Sequence, residues 1–180
     1  MHVLVIGCSL NPHSYSQLLA REAVAELRRL NVDTRLIDLR EHPLPLCDGG
    51  NASEADPALT DAITHADAIV LATPVYNFDV SAATKNLIEL TGQAWRDKLV
   101  GFACAAGGAV SFMSAMGLAN SLMLDFQCVI LPRFVYTTGH DYQHSALSSD
   151  RARQRLQRFT SELVRIGTAL KHSHVPSPDA

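Results

Sequence analysis

The chain has 180 residues, which suits one domain and leaves room for a substantial core. Hydrophobic residues make up 47% and charged residues 18%, which excludes a disordered chain. The net charge of -3 offers no general pull toward nucleic acid, and the densest basic run, residues 151–158, reads as the solvated face of a helix. In chain order, residues 3–6 (Val-Leu-Val-Ile) form a continuous apolar strand of the kind buried on both faces. Ser14-x-x-Gln17 reads as a capping box, opening a helix with Leu19, Ala23, Leu27 and Leu30 on one stripe. A second strand over residues 34–39 leads into an irregular stretch, 40–56. Asp56-Pro57 starts a helix that ends near His65.

Residues 68–72 (Ala-Ile-Val-Leu-Ala) are the third strand, followed by a loop over 73–80 and a helix capped by Ser81 that runs to about Thr91. A fourth strand over 99–105 precedes a loop at 106–109 and a helix over about 111–124. The fifth strand, 129–137, is interrupted by Pro132 and therefore bent or in two parts. The last helix, about 148–171, aligns Leu156, Phe159, Leu163, Ile166 and Leu170 on one face. The domain spans residues 1–171, and the polar, proline-bearing tail 172–180 is expected to be disordered. Residues 99–124 carry no charge, long enough for a membrane span, yet strand, glycine turn and helix account for them as well. No membrane association is expected.

Strands alternating with helices imply an α/β doubly wound parallel sheet of five strands with helices on both faces. Either the flavodoxin-like order 2-1-3-4-5 or a truncated Rossmann order satisfies the pattern, and both bind ligands at the carboxyl ends of the strands. That rule directs attention to three loops. The first, Gly7-Cys8-Ser9-Leu10-Asn11-Pro12-His13-Ser14, ends at a capped helix whose unpaired N–H groups suit a phosphate, and reads equally as a plain strand-to-helix connection. No G-x-x-x-x-G-K-[ST] or G-x-G-x-x-G occurs, which argues against a P-loop hydrolase and a dinucleotide-binding Rossmann domain. The second loop, Thr73-Pro74-Val75-Tyr76-Asn77-Phe78-Asp79, offers two aromatics that either pack on a planar ring or plug the sheet end. The third, Ala106-Gly107-Gly108-Ala109, lets backbone approach a ligand closely or is simply a glycine turn.

Cys8, Cys47, Cys104 and Cys128 are scattered without a C-x-x-C pair, so no metal site is expected. With no signal peptide in evidence, they fit a reducing cytoplasm.

Taken together, G-x-S-x-x-x-x-S at 7–14, T-P-V-Y-N at 73–77 with Lys85-Asn86, and A-G-G at 106–108 resemble the NADPH-dependent FMN reductases over roughly residues 2–137. The resemblance implies a flavodoxin-like reductase with FMN as cofactor and NADPH or NADH as donor. It places Ser9, Asn11, Ser14, Tyr15 and Ser16 around the FMN phosphate. Pro74, Val75, Tyr76, Asn77 and Phe78 would border the isoalloxazine ring, and Ala106, Gly107 and Gly108 would approach its edge. Asn11 stands where many members carry Arg, and Ser16 where many carry Asn. Val75 and Phe78 replace the Glu and Gly of the common P-E-Y-N-G, and Val75 with Ser81-Ala82 is nearer to the branch that supplies reduced flavin to sulfonate monooxygenases. Chemistry on the flavin requires no catalytic side chain. The acceptor would be a small molecule: free flavin, quinone, azo compound or metal oxyanion. A homodimer or homotetramer is implied, and a non-enzymatic flavodoxin-type carrier is the alternative.

Overall fold

The computed structural model describes residues 1–50 and 56–172. The expected tail beyond His172, and residues 51–55 of the irregular stretch, lie outside the described residues. The strands are β1 (His2–Gly7), β2 (Asp33–Asp38), β3 (Ala68–Tyr76), β4 (Asp79–Val80), β5 (Leu99–Ala106), β6 (Val129–Ile130) and β7 (Val135–Thr138), with a small hairpin of β8 (Tyr142–Gln143) and β9 (Ala146–Leu147). The helices are α1 (Tyr15–Arg29), α2 (Pro57–Thr64), α3 (Ala82–Thr91), α4 (Met116–Phe126) and α5 (Asp150–His172).

The main sheet runs β2-β1-β3-β5, with β6 and β7 both pairing the outer side of β5 and β4 turning back on β3. This is the flavodoxin-like order, with the fifth strand split in two around Pro132, where a missing N–H interrupts the ladder. β1 explains the continuous apolar run. Leu4 and Ile6 enter the core under α2, α3 and α4, while Val3 and Val5 enter the core under α1 and α5. All four are fully buried, each worth roughly 1.5–3 kcal/mol by area. Register sets the site. Gly7 lies level with both Asp38 and Ala72, and Pro74 lies level with Ala105, so the loops after β1, β3 and β5 leave one edge side by side.

Several expectations are corrected. β3 continues through Thr73, Pro74, Val75 and Tyr76, so most of the second loop is strand. Ala72 directs its carbonyl at Cys8 of the β1 side. Pro74, two residues on, faces the same side just past the end of β1, where no donor is required. The fourth helix starts at Met116, not near 111, because residues 109–111 form a separate 3-10 turn and no side chain caps an earlier start. By composition 109–126 could cross a membrane. The α-helix itself has 11 residues, about 17 Å against a core of about 30 Å, and buries Leu118, Ala119 and Leu122 on the sheet. Leu30 and Leu170 fall at helix ends beyond the sheet and are exposed.

Candidate functional site

The first loop is shaped by its own side chains. Cys8 N–H extends the ladder to Ala72 (2.9 Å), turning the thiol into the core, where burial pushes it up to about 12 and removes it as a nucleophile. Ser9 Oγ accepts from Asn11 N–H (3.2 Å), and Asn11 Oδ1 accepts from His13 N–H (2.9 Å), curling the chain toward α1. Ser14 caps α1 by accepting from Ser16 N–H (3.1 Å), and the two serine hydroxyls lie 2.8 Å apart. The backbone N–H groups of Ser14, Tyr15 and Gln17 find no acceptor among the described residues. Three donors thus stand at the positive end of a 15-residue helix, in a loop without Lys or Arg. Such a donor set fits a phosphate group.

The reciprocal capping box does not form. Gln17 Nε2 instead reaches across to Gly7 O (3.1 Å), Ser9 O (3.1 Å) and Asp38 Oδ1 (2.8 Å). Gly7 is required for this bridge, because a Cβ there would lie 2.1 Å from Gln17 Oε1. Burial pushes the Asp38 carboxyl up, but hydrogen bonds and charge from Arg40 outweigh it and hold the group below the ordinary carboxylate range. The tip of β2 is therefore spent on bracing the first loop.

The second segment turns at Asn77 and Phe78, both left-handed at φ 52° and 63°, as a two-residue hairpin between β3 and β4. A phenylalanine in that region is unusual. Tyr76 and Phe78 are 53% and 68% exposed, so they do not plug the sheet end. Pro74 and Val75 are buried beneath them. Hydroxyls of Thr73, Thr84 and Ser81 form a buried chain (2.7 and 2.8 Å), and Ser81 donates to Cys8 O (3.5 Å), tying this segment to the first loop. Asn86 is used elsewhere, clamping Cys47 N–H (2.9 Å) and Pro45 O (2.8 Å), while Lys85 pairs with Glu89.

The third loop is open. A Cβ on Gly107 or Gly108 would meet nothing within 4 Å, and neither residue has positive φ. Neither backbone conformation nor packing within the chain demands glycine there; what the two residues provide is clear space above the sheet edge. Tyr136 donates to Gly108 O, and Ser111 Oγ lies 2.8 Å from the same phenol. Ala106 is buried at the strand end.

Ser9, Asn11, Ser14, Tyr15 and Ser16 thus share one rim with Asn77, Phe78, Gly107 and Gly108, but their states differ. Ser9 and Ser16 are buried with their hydroxyls engaged, while Asn11 and Tyr15 are exposed. Tyr15 stacks on Tyr142 at 4.5 Å. Sequence reasoning missed Gln17 and Tyr136, whose partners lie 8 to 28 residues away in the chain.

Residues 1–143 match the family model described as NADPH-dependent FMN reductase. An NAD(P)H-dependent FAD/FMN reductase of Geobacillus thermodenitrificans is 27% identical over 87% of this chain and 91% of its own length. A quinone reductase of Pseudomonas putida is 28% identical over 90% of this chain and 92% of its own. Among solved structures, a flavoenzyme NAD(P)H:(acceptor) oxidoreductase from Paracoccus denitrificans superposes with a TM-score of 0.75 at 20% identity, covering 93% of this chain and 97% of that one.

Proposed function

This chain belongs to the NADPH-dependent FMN reductase family, and from that premise we propose that its sheet edge holds FMN and moves reducing equivalents from NAD(P)H to a small-molecule acceptor. The observation that carries the reading is the meeting of three unpaired helix-start donors with the clear space over Gly107 and Gly108 on one rim. FMN, when bound, supplies the redox chemistry: it takes hydride from NAD(P)H and gives electrons to the acceptor.

The chain's own residues bind and orient. The N–H groups of Ser14, Tyr15 and Gln17, with the Ser14 and Ser16 hydroxyl pair, would hold the phosphate. Ser9 and Asn11 shape the loop, and the Asn11 carboxamide NH2 is a further donor. This neutral cradle does without the Arg that many members carry at position 11, because amides and the helix dipole hold a phosphate. Pro74, Val75, Tyr76, Asn77 and Phe78 would border the isoalloxazine ring, with Ala106, Gly107 and Gly108 at its edge. No side chain is assigned as catalytic acid or base. The quinone reductase relative makes a quinone the first acceptor to try, ahead of free flavin, azo compounds and metal oxyanions.

Purified protein titrated with FMN should show a bound-flavin spectrum and then oxidise NADPH or NADH when a quinone is added. Ser14→Ala should weaken FMN binding by about 1 kcal/mol or more, read by calorimetry. No FMN binding, or no turnover with either nicotinamide, would refute the reading. A homodimer or homotetramer belongs to the same proposal: Val110 and Leu124, 80% and 70% exposed on an uncharged segment, call for cover. Light scattering that gives a monomer would remove that part. Four free thiols accord with a cytoplasmic setting.

A further inference from the structure

Beside the glycine loop, a cavity of about 850 Å³ opens between the starts of α4 and α5 along the edge strand β7. That is the size of a small-molecule site. Its lining is largely apolar, with Phe112, Met113, Met116 and Phe134, and includes Arg151 and Arg155. Phe112 and Met113 are 58% and 55% exposed, an uncovered surface suited to a flat ring, since thioethers and aromatics pack well on aromatic faces. The two arginines lie four residues apart on the first two turns of α5 and so point the same way. Neither has an ion-pair or hydrogen-bond partner among the described residues, whereas Arg153 between them is bound to Asp150 and Leu147 O. The cavity's acid, Asp141, is turned onto Thr138 N–H (2.8 Å) and its hydroxyl. Two unpaired guanidiniums in an apolar-lined cavity, in a chain of net charge -3, fit a planar ring bearing a phosphate.

We propose that this cavity takes the adenosine 2′-phosphate end of NADPH, with Arg151 and Arg155 as the clamp that prefers NADPH over NADH. The inference rests on the reductase reading above. NADPH and NADH differ only in that phosphate, so a free cationic pair is the device that can tell them apart. Position supports it: the cavity is lined by Ala109 of the glycine loop and by Tyr136 of β7, which holds the Gly108 carbonyl. The donor's two ends would then lie on one continuous surface.

Calorimetry with adenosine 2′,5′-bisphosphate, with AMP and with 1-naphthalenesulfonate decides the matter without turnover. The bisphosphate should bind roughly tenfold or more tighter than AMP, as one charge-assisted contact allows. The double variant Arg151→Ala, Arg155→Ala should bring it down to the AMP level at an unchanged thermal midpoint. The ratio of kcat/KM for NADPH over NADH should fall by a similar factor. A bisphosphate that binds no tighter than AMP, or a preference that survives the double variant, would overturn the proposal. Binding of the sulfonate alone would overturn it too, and would assign the cavity to an anionic acceptor. Failure to bind FMN would count against the flavin reading instead, while the bisphosphate titration would still report on the cavity.

Discussion

The first loop and the glycine loop leave the same edge of the sheet, yet they are built on opposite terms. Residues 7–17 are braced from within: Gln17 ties Gly7, Ser9 and Asp38 together, and Ser9, Asn11 and Ser14 each close a local turn. Gly107 and Gly108 face open space, followed by exposed Val110, Phe112 and Met113. The difference teaches that one wall of the proposed site is pre-organised by the protein's own hydrogen bonds, while the other is left open and would be completed by what binds. Preorganisation spares the ordering cost at binding; open space lets backbone approach a ligand.

Substitutions should separate the two walls. The largest effect is expected at Gly7→Ala, which drives Gln17 from its bridge and should cost about 2–4 kcal/mol in denaturant unfolding. Gln17→Ala should cost a similar amount, and the pair should be strongly non-additive, since both remove one brace. Additive costs would show that the bridge does not stabilise the loop as a unit. Next, Gly107→Ala and Gly108→Ala should leave stability within about 0.5 kcal/mol while raising the Kd for FMN about tenfold, by flavin fluorescence titration. A large loss of stability there would erase the contrast.

Asp38→Asn should destabilise by about 1 kcal/mol at neutral pH. Because the folded carboxyl lies below its unfolded value, its contribution is complete above the ordinary carboxylate range and is lost as pH falls through the lowered value. The gap between variant and parent should therefore close in acid, and a gap independent of pH would mean that Asp38 acts only by shape. The smallest effect belongs to the hairpin between the two walls. Phe78→Gly relieves a left-handed phenylalanine and should raise stability by less than about 1 kcal/mol, the relief being partly offset by the flexibility of glycine in the unfolded chain. A clear loss would show that the exposed ring packs in solution.

Much of the fold was legible because its signals are local. The apolar runs at 3–6 and 68–72, the caps at Ser14, Asp56 and Ser81, and the break at Pro132 each act within a few residues, and the structure contains all of them. The place of the three candidate loops was legible in outline, since a parallel sheet brings the segments after β1, β3 and β5 to one edge. Where local signals competed with distant partners, the reading failed. Gln17 had a cap within reach and took Gly7, Ser9 and Asp38 instead; the loop after residue 72 became strand because β5 continues beside it.

By itself, then, the sequence determined the alternation of strands and helices and the chemistry offered at each strand end. Hydrophobic period and capping are properties of neighbouring residues. Only the tertiary structure decided which donors stay unpaired at the start of α1, that Tyr136 holds the glycine loop, and that Arg151 and Arg155 overlook the cavity beside α4. Those facts depend on how segments far apart in the chain are placed, which strand order, register and helix packing decide together.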